Sequence, residues 1–350
     1  MDMRRTDAPQ RVIPIVPVAA MPAAAPPVAS ATHTQQRRLL WQAGFFILFV
    51  LAPLFDILRF DLTTGHAWLL GMPWRLGIDD FMAGRIGSTE VGLNILLRLF
   101  LPLLTFAIAF LLVAWRWGRL YCGWLCPHFS AVETINNLMR RASGRQSIWD
   151  RQPIPPVNAD GSPNPVNGVW WLPTVTLAFV FAALWAIVLL TYLLPPMEIY
   201  SNLIRFELTP NQARFLAVAT TLFMLEFLFA RHLFCRFGCA AGLFMSLAWM
   251  SNRGARVVGY ERARAADCTA CFESGGPGYA ACEGVCPMRL KPRTPKHKMF
   301  ACTQCAQCVD ACATVQQGRK GAPHEALLHW VDKEEAQRNE AQVSLTGNRD

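Results

Sequence analysis

Cys302-Thr-Gln-Cys305-Ala-Gln-Cys308-Val-Asp-Ala-Cys312 is the stretch that decides what the C-terminal part of this 350-residue chain must be. Thiolates spaced Cys-x2-Cys-x2-Cys wrap three ligands around one face of a cuboidal iron–sulfur cluster, and a remote cysteine, often followed by proline, supplies the fourth. A second array, Cys268-x2-Cys271-x10-Cys282-x3-Cys286-Pro287, stands just upstream. In two-cluster ferredoxins the fourth cysteine of each motif ligates the other cluster. That crossing assigns Cys268, Cys271, Cys282 and Cys312 to one [4Fe–4S] cluster, and Cys302, Cys305, Cys308 and Cys286 to a second. The first array departs from the pattern, with ten residues (Phe272 to Ala281) where two are expected. Gly275, Gly276 and Gly278 let this insertion bulge out and return Cys282 to the same place; otherwise it alters the first cluster. Ala313 stands where many ferredoxins have proline. Two structural zinc sites are the alternative, but the spacing from Cys302 to Cys312 is far more typical of a cubane.

Upstream, apolar residues collect in four blocks separated by polar, often basic segments. With 53% hydrophobic and 16% charged residues, this is the pattern of a multi-span membrane protein and not of a soluble enzyme. The blocks read as spans at Leu39–Leu58, Leu93–Trp115, Val169–Leu194 and Ala213–Ala230, each near the ~20 residues a bilayer needs. Arg214 and Glu226 interrupt the last of them. The two loops expected on one side carry only Arg59, Arg75, Arg85 and Arg205, while the tail, the central loop and everything after Ala230 hold most of the Lys and Arg. By the positive-inside rule both termini are expected in the cytoplasm. The net charge of +9 then sits where topology and anionic lipid demand it, with no nucleic-acid partner required. Residues 1–38 are Pro- and Ala-rich and read as a disordered cytoplasmic tail. In a reducing compartment an even cysteine count argues for metal over disulfides.

The remaining four cysteines form an internal repeat. Leu120-Tyr121-Cys122-Gly-Trp-Leu-Cys126 matches Leu233-Phe234-Cys235-Arg-Phe-Gly-Cys239, and each copy follows the second span of a two-span half. Residues i and i+4 share a helix face, so each pair can present two sulfurs together. Facing pairs would make a four-thiolate site for a third cluster or a soft ion such as Cu(I); the plainer reading is four buried cysteines acting as small hydrophobes. Pro127 follows the first pair and Ala240 the second, which predicts that the copies are not equivalent. His128 and His232 flank the pairs as metal ligands, proton carriers or interfacial side chains. Glu226 lies inside the fourth span, where pairing with Arg231 is the simplest expectation. His66, Asp79 and Asp80 in the first outer loop are candidates to contact a quinone or metal.

Together these residues resemble the membrane polyferredoxin family that includes NapH, NosR and the cytochrome oxidase assembly protein CcoG, also called FixG or RdxA. Tyr121-Cys-Gly-Trp-Leu-Cys-Pro127 looks like the family's Cys-x3-Cys-Pro motif. Phe60-Asp61-Leu62, Leu70-Gly71-Met-Pro-Trp74, Asp79-Asp80-Phe81, the string from Phe300 to Cys312 and Leu327-Leu-His-Trp330 look closer to the CcoG branch. The resemblance covers approximately residues 39–332. In CcoG-like proteins a further span and an immunoglobulin-like domain usually follow; here the chain reaches Asp350 with neither.

The expectation is an all-α membrane domain of about four transmembrane helices in two halves (39–250), a small α+β ferredoxin-like 2[4Fe–4S] domain (251–332) and a polar tail (333–350). The chain is expected in a bacterial inner membrane, passing electrons between its cytoplasmic clusters and the membrane thiolate site, with a redox partner protein. The CcoG likeness implies a Cu(II) reductase in cytochrome oxidase maturation. The NapH likeness implies a quinol-to-reductase conduit. A redox-sensing or assembly subunit without turnover, or a structural anchor that docks other redox subunits, is the rival from a different class.

Overall fold

The computed structural model describes residues 33–145, 147–149, 153–154, 163–269, 280–293, 299–317 and 325–338. The expected tails therefore lie largely outside the described residues, as do Cys271 and positions 272–279 of the insertion.

Helix α1 (His33–Leu51) leads into three short antiparallel strands, β1 (Leu58–Asp61), β2 (His66–Leu69) and β3 (Met72–Trp74). Leu58 lies opposite Leu69 and Ala67 opposite Trp74. A short helix α2 (Ile78–Met82) precedes the long α3 (Ser88–Trp117), which contains a π-helical turn at Leu96–Phe100. After α4 (Leu120–Trp124) and α5 (Pro127–Ser143) come α6 (Trp171–Thr191), α7 (Pro196–Arg205) and α8 (Pro210–Ala230). The last turn of α8, Glu226–Ala230, is again π-helical. Helix α9 (Ala240–Ser251) then delivers the chain to strand β4 (Arg256–Tyr260). The C-terminal part adds α10 (Ala281–Gly284), α11 (Gln307–Gln317) and β5 (Leu328–Asp332), which pairs antiparallel with β4.

Among the described residues three helices are long and apolar enough to cross a membrane: Ser88–Trp117, Gly168–Thr191 and Pro210–Ala230. They coincide with the second to fourth expected spans. Arg214 does not break the last one, because it sits in the first turn and donates back to the Pro210 carbonyl and to Asn211 Oδ1. The first expected span requires correction. The helix starts at His33, inside the stretch read as tail, and stops at Leu51, while Leu58 opens β1. Its first turns carry Gln35, Gln36, Arg37 and Arg38, so it is not apolar throughout. It still runs beside α6: Phe46 and Phe49 pack on Trp185 with ring centroids 5.8 and 4.5 Å apart, and the Tyr192 hydroxyl donates to the Phe49 carbonyl at 3.0 Å. Backbone bonds from Phe60 and Leu62 to the carbonyls of Tyr192 and Leu193 fix the small sheet at the end of α6.

The membrane-side core joins Ala131, Val132, Ile135 and Met139 of α5 to Ala178, Ala182 and Trp185 of α6 and Phe227 of α8. Ala178 and Ala182, one turn apart, let the helices approach closely. By contrast, no residue in the most apolar window of α3 is buried, a surface suited to lipid and not to water. Near its foot, Asn252 Nδ2 donates to the Trp115 carbonyl at 2.9 Å. Trp249 of α9 links the helices to the C-terminal sheet by donating to the Arg256 carbonyl at 3.0 Å.

Candidate metal centre

The described C-terminal cysteines form two adjoining groups. Cys268, Cys282 and Cys312 share an apolar cluster with Val258, Leu327 and Leu328, which Cys308 of the second motif also joins, and Cys282 interacts electrostatically with Cys312 and Cys268. Cys286 senses Cys305 and Cys302, and Cys308 senses Cys305, Cys302 and Cys286 ahead of Cys282. Backbone N–H groups reach several sulfurs. Leu290 donates to Cys286 Sγ at 3.3 Å, Gln307 to Cys305, and Leu327 and Leu328 to Cys312. Such donors favour a thiolate. Left-handed backbone at Gln304 (φ 58) and Ala306 (φ 63), on either side of Cys305, curls the loop tightly, and this turn chemistry recurs where backbone amides cradle an anion. Burial works the other way and pushes both Cys282 and Cys286 up to about 12. A thiolate this buried needs a cationic centre to be stable. None of the eleven described cysteines is in a disulfide.

The two membrane pairs are closed by the same kind of backbone bond. The Cys126 N–H bonds to the Tyr121 carbonyl at 2.9 Å, and the Cys239 N–H to the equivalent Phe234 carbonyl at 2.9 Å. Each pair is thus closed by a five-residue π-type turn, and not by the continuous α-helix assumed from the i, i+4 spacing. Each second cysteine is the extended N-cap of the next helix, with φ/ψ of −62/115 at Cys126 and −77/109 at Cys239. The copies share this closing bond but not the helix beneath it: the first pair lies on the α-helical turn Leu120–Trp124 and the second on the π-helical turn Phe234–Gly238, so they differ, as the contrast of Pro127 with Ala240 predicts. Proline disfavours a helical residue before it, but the π turn alone suffices to stop the helix at Cys239. Two helix N-termini consequently begin at sulfurs, where their unpaired N–H groups favour negative charge; Phe129 and His128 donate theirs to Cys126.

All four membrane sulfurs interact. Cys235 senses Cys126, Cys122 and Cys239, and burial followed by Cys126 pushes Cys122 up to about 12. Among the described residues no three His, Cys, Asp or Glu side chains converge as they would on a single ion. Four interacting thiols, two helix N-termini and the buried Arg119 guanidinium among them suit a larger anionic group such as a cubane cluster.

Residues 99–146 match the family model of a 4Fe-4S binding domain. Of the twelve cysteines this segment contains Cys122 and Cys126 alone. The match thus falls on the pair that sequence reading left open between a cluster, copper and inert packing. The chain is also 22% identical over 206 residues to YccM of Escherichia coli (strain K12), a putative electron transport protein, covering 59% of this chain and 52% of that relative. It therefore spans about half the length of the curated relative it matches. No solved structure matches the chain. These likenesses are to membrane-type 4Fe–4S electron-transfer proteins and do not point to the CcoG branch.

The 4Fe–4S-matching loop lies directly against the C-terminal cysteine loop. A Cβ added to Gly123 would run into the Thr303 carbonyl oxygen, so only glycine permits this approach. Trp124 Nε1 donates to the Gln304 carbonyl at 3.1 Å. Cys126, Cys235, Cys286 and Cys302 all pack on one apolar cluster, built from Phe129, Met288, Leu290, Met299 and Ala301. Helix α1 braces the junction: Arg38 Nε donates to the Gly123 carbonyl at 2.7 Å and Gln35 Nε2 to the Cys305 carbonyl at 3.0 Å. Arg38 also pairs with Glu133 of α5, which accepts from Gln307 of α11 as well.

In the sequence Arg38 and Arg119 read only as topological charges, and Gly123 and Glu133 carry no mark of a role on their own. A glycine inside the first cysteine pair and an arginine three residues before it are the available signal. Glu226 pairs not with the Arg231 side chain but with His128, Nε2 to Oε1 at 2.8 Å. Arg231 turns away to Asn136 Oδ1 (2.9 Å) and Ser147 Oγ (3.2 Å). Trp185 Nε1 approaches His128 Nδ1 at 3.3 Å. Burial and the neighbouring Arg231 and Arg236 pull His232 down to about 4, so it is neutral at pH 7. His66, Asp79 and Asp80 do not converge: His66 contacts the Thr64 carbonyl and Asp80 forms an exposed pair with Arg85.

Proposed function

We propose that this chain is a membrane-bound iron–sulfur electron-transfer protein with three thiolate sites in series. Cys268, Cys271, Cys282 and Cys312 form the far site, and Cys286, Cys302, Cys305 and Cys308 the near site. Cys122, Cys126, Cys235 and Cys239 form the membrane site. The observation that carries this reading is the Gly123–Thr303 contact, backed by the shared apolar cluster, which sets the near site against the membrane site. Clusters bound at these sites supply one-electron carriers whose potentials the protein tunes through charge, hydrogen bonds and solvent exposure.

The chain's own residues do the rest. Met288, Leu290, Met299 and Phe129 exclude water between near and membrane sites, which lowers the local dielectric and strengthens every charge interaction there. The N–H groups at Cys126, Cys286, Cys305 and Cys312 hold their thiolates. Helix α1 is read as the first of four membrane helices, since it accompanies α6 as far as Tyr192. With the basic loops inside, both termini lie in the cytoplasm of a bacterial inner membrane, and the C-terminal unit is a ferredoxin-like domain at that face. The 4Fe–4S match over Cys122 and Cys126 favours a cluster over copper at the membrane site. The relay is accordingly read as serving a redox partner or a membrane quinone, with Cu(II) reduction set behind it.

Iron content and low-temperature electron paramagnetic resonance of the reduced protein, compared with Cys122→Ser and Cys235→Ser, test this. Each variant is expected to lose one cluster's worth of iron while the two C-terminal signals persist. Reoxidation of those clusters by a lipophilic quinone in proteoliposomes is expected to stop. Unchanged iron would remove the membrane cluster from the scheme, and undiminished reoxidation would remove it from the path.

A further inference from the structure

Of the arginines whose charge acts on described cysteines, three are neutralised by a carboxylate, and Arg236, next to Cys235 in the chain, lies over the Phe237 ring. Arg38, near Cys305, is held by Glu133. Arg264, near Cys312, is held by Asp267 at 3.1 Å, and Arg293, near Cys282 and Cys268, by Glu283 at 3.0 Å. Arg119 is different. It is only 1% exposed, and its hydrogen bonds go to neutral oxygens: Nε to Ser246 Oγ at 2.5 Å and Nη1 to the Cys235 carbonyl at 2.6 Å. Among the described residues no carboxylate pairs with it. A guanidinium taken out of water without a counter-charge is costly, and the groups whose negative charge would act on it are Cys122, Cys239, Cys235 and, across the junction, Cys302, which carry that charge when the proposed clusters hold them as thiolates.

The surroundings hold it there. Ser246, which receives Nε, donates in turn to the Phe300 carbonyl at 2.8 Å, and the guanidinium carbon lies 5.7 Å from the Phe300 ring centre, two residues before Cys302. On the other side Gly242 leaves the space: an added Cβ would approach Nη1 to 3.1 Å. The arginine is thus fixed between two groups of sulfurs by contacts to both parts of the chain.

We infer that Arg119 is a shared electrostatic control for the membrane site and the near site, its unbalanced charge raising the reduction potential of both while the far site is left unaffected. The inference rests on the three-site reading above. Reduction adds negative charge to a cluster, and a fixed cation a short distance away in a dry region favours the reduced form. One charge acting on two neighbours moves their potentials in the same direction, which keeps the step between them level and transfer reversible. Arg119 is in this sense a positioning charge and not a ligand.

Potentiometric titration of the purified full chain, followed by electron paramagnetic resonance, tests it with Arg119→Gln and Arg119→Lys. In Arg119→Gln the reduced-to-oxidised ratio of membrane and near clusters at fixed potential is expected to fall about tenfold or more, which is 59 mV for a one-electron couple. The far cluster stays in place, and Arg119→Lys lies close to the native protein. Should Arg119→Gln assemble poorly, membrane-site iron retained by Arg119→Lys and lost from Arg119→Gln supports the charge role. Loss from both variants overturns it. Native potentials in Arg119→Gln, an equal shift at the far cluster, or a shift in Arg119→Lys as large as in Arg119→Gln would each overturn it too. A native protein lacking iron–sulfur signals would instead overturn the function itself, so the two failures are distinguishable.

Discussion

Gly123 shows how much a single position can decide. Its carbonyl accepts from Arg38 Nε at 2.7 Å and Gln42 Nε2 at 3.2 Å, while its Cα faces the Thr303 carbonyl. Backbone therefore lies on the side where a side chain would go, and a methyl group has no rotamer by which to escape. Overpacking of this kind costs typically about 1–3 kcal/mol. Gly123→Ala is expected to lower the thermal unfolding midpoint by several degrees, and to weaken the near-site signal by pushing the Cys302–Cys305 loop away. Thermal unfolding in detergent, with the near cluster's resonance followed in parallel, checks this; a native midpoint with a native signal would mean that the two loops do not touch.

At the scale of elements, α1 is a strut as well as a candidate span. Arg38, with a side chain 4% exposed, meets Glu133, which is 13% exposed and also accepts from Gln42 and Gln307. Removing one partner of a buried pair strands the other and costs about 3–5 kcal/mol, whereas replacing both with apolar groups is often near neutral. Arg38→Met is therefore expected to destabilise the protein strongly, and Arg38→Met/Glu133→Leu to recover much of the loss, as measured by denaturant unfolding. A double variant no better than the single would show that the ion pair is not the joint. The same residues explain which parts of the fold were legible. The helices Ser88–Trp117, Gly168–Thr191 and Pro210–Ala230 could be read because bilayer thickness writes itself into run length. The start of α1 could not, because Gln35, Arg38 and Gln42 look like water-facing residues until partners 81 to 275 positions away bury them. The cysteine spacings announced the chemistry, and the paired motif announced a repeat. The π turn closing each pair left no mark that separates Ala240 from an ordinary helical residue, and the loneliness of Arg119 exists only in three dimensions.

For the whole molecule, the consequence of the proposed relay is that membrane helices and C-terminal unit would not form their sites separately. The Cys302–Cys305 loop packs on the Cys122–Cys126 loop through Thr303, Gln304 and Cys302 on one side and Gly123, Trp124 and Cys126 on the other, so each would wall the other's proposed site. Away from the sulfurs the two parts are joined mainly by α9 and its neighbours, through Trp249 to Arg256 and Arg116 to Asp332; the latter is an exposed pair worth little. With clusters bound at the two proposed sites, metal binding free energy would be shared stability, because ligands organised by the metal would hold both loops. Chelating the iron is expected to raise amide hydrogen exchange in residues 120–127 and 299–309 together and to a similar degree. The α5–α6–α8 core, whose buried residues include no cysteine and which Cys235 touches only from outside, should remain protected. Exchange mass spectrometry before and after chelation reads this directly. Opening of 299–309 with 120–127 still protected would mean that the C-terminal unit carries its clusters as an independent domain and that the junction is not a shared site.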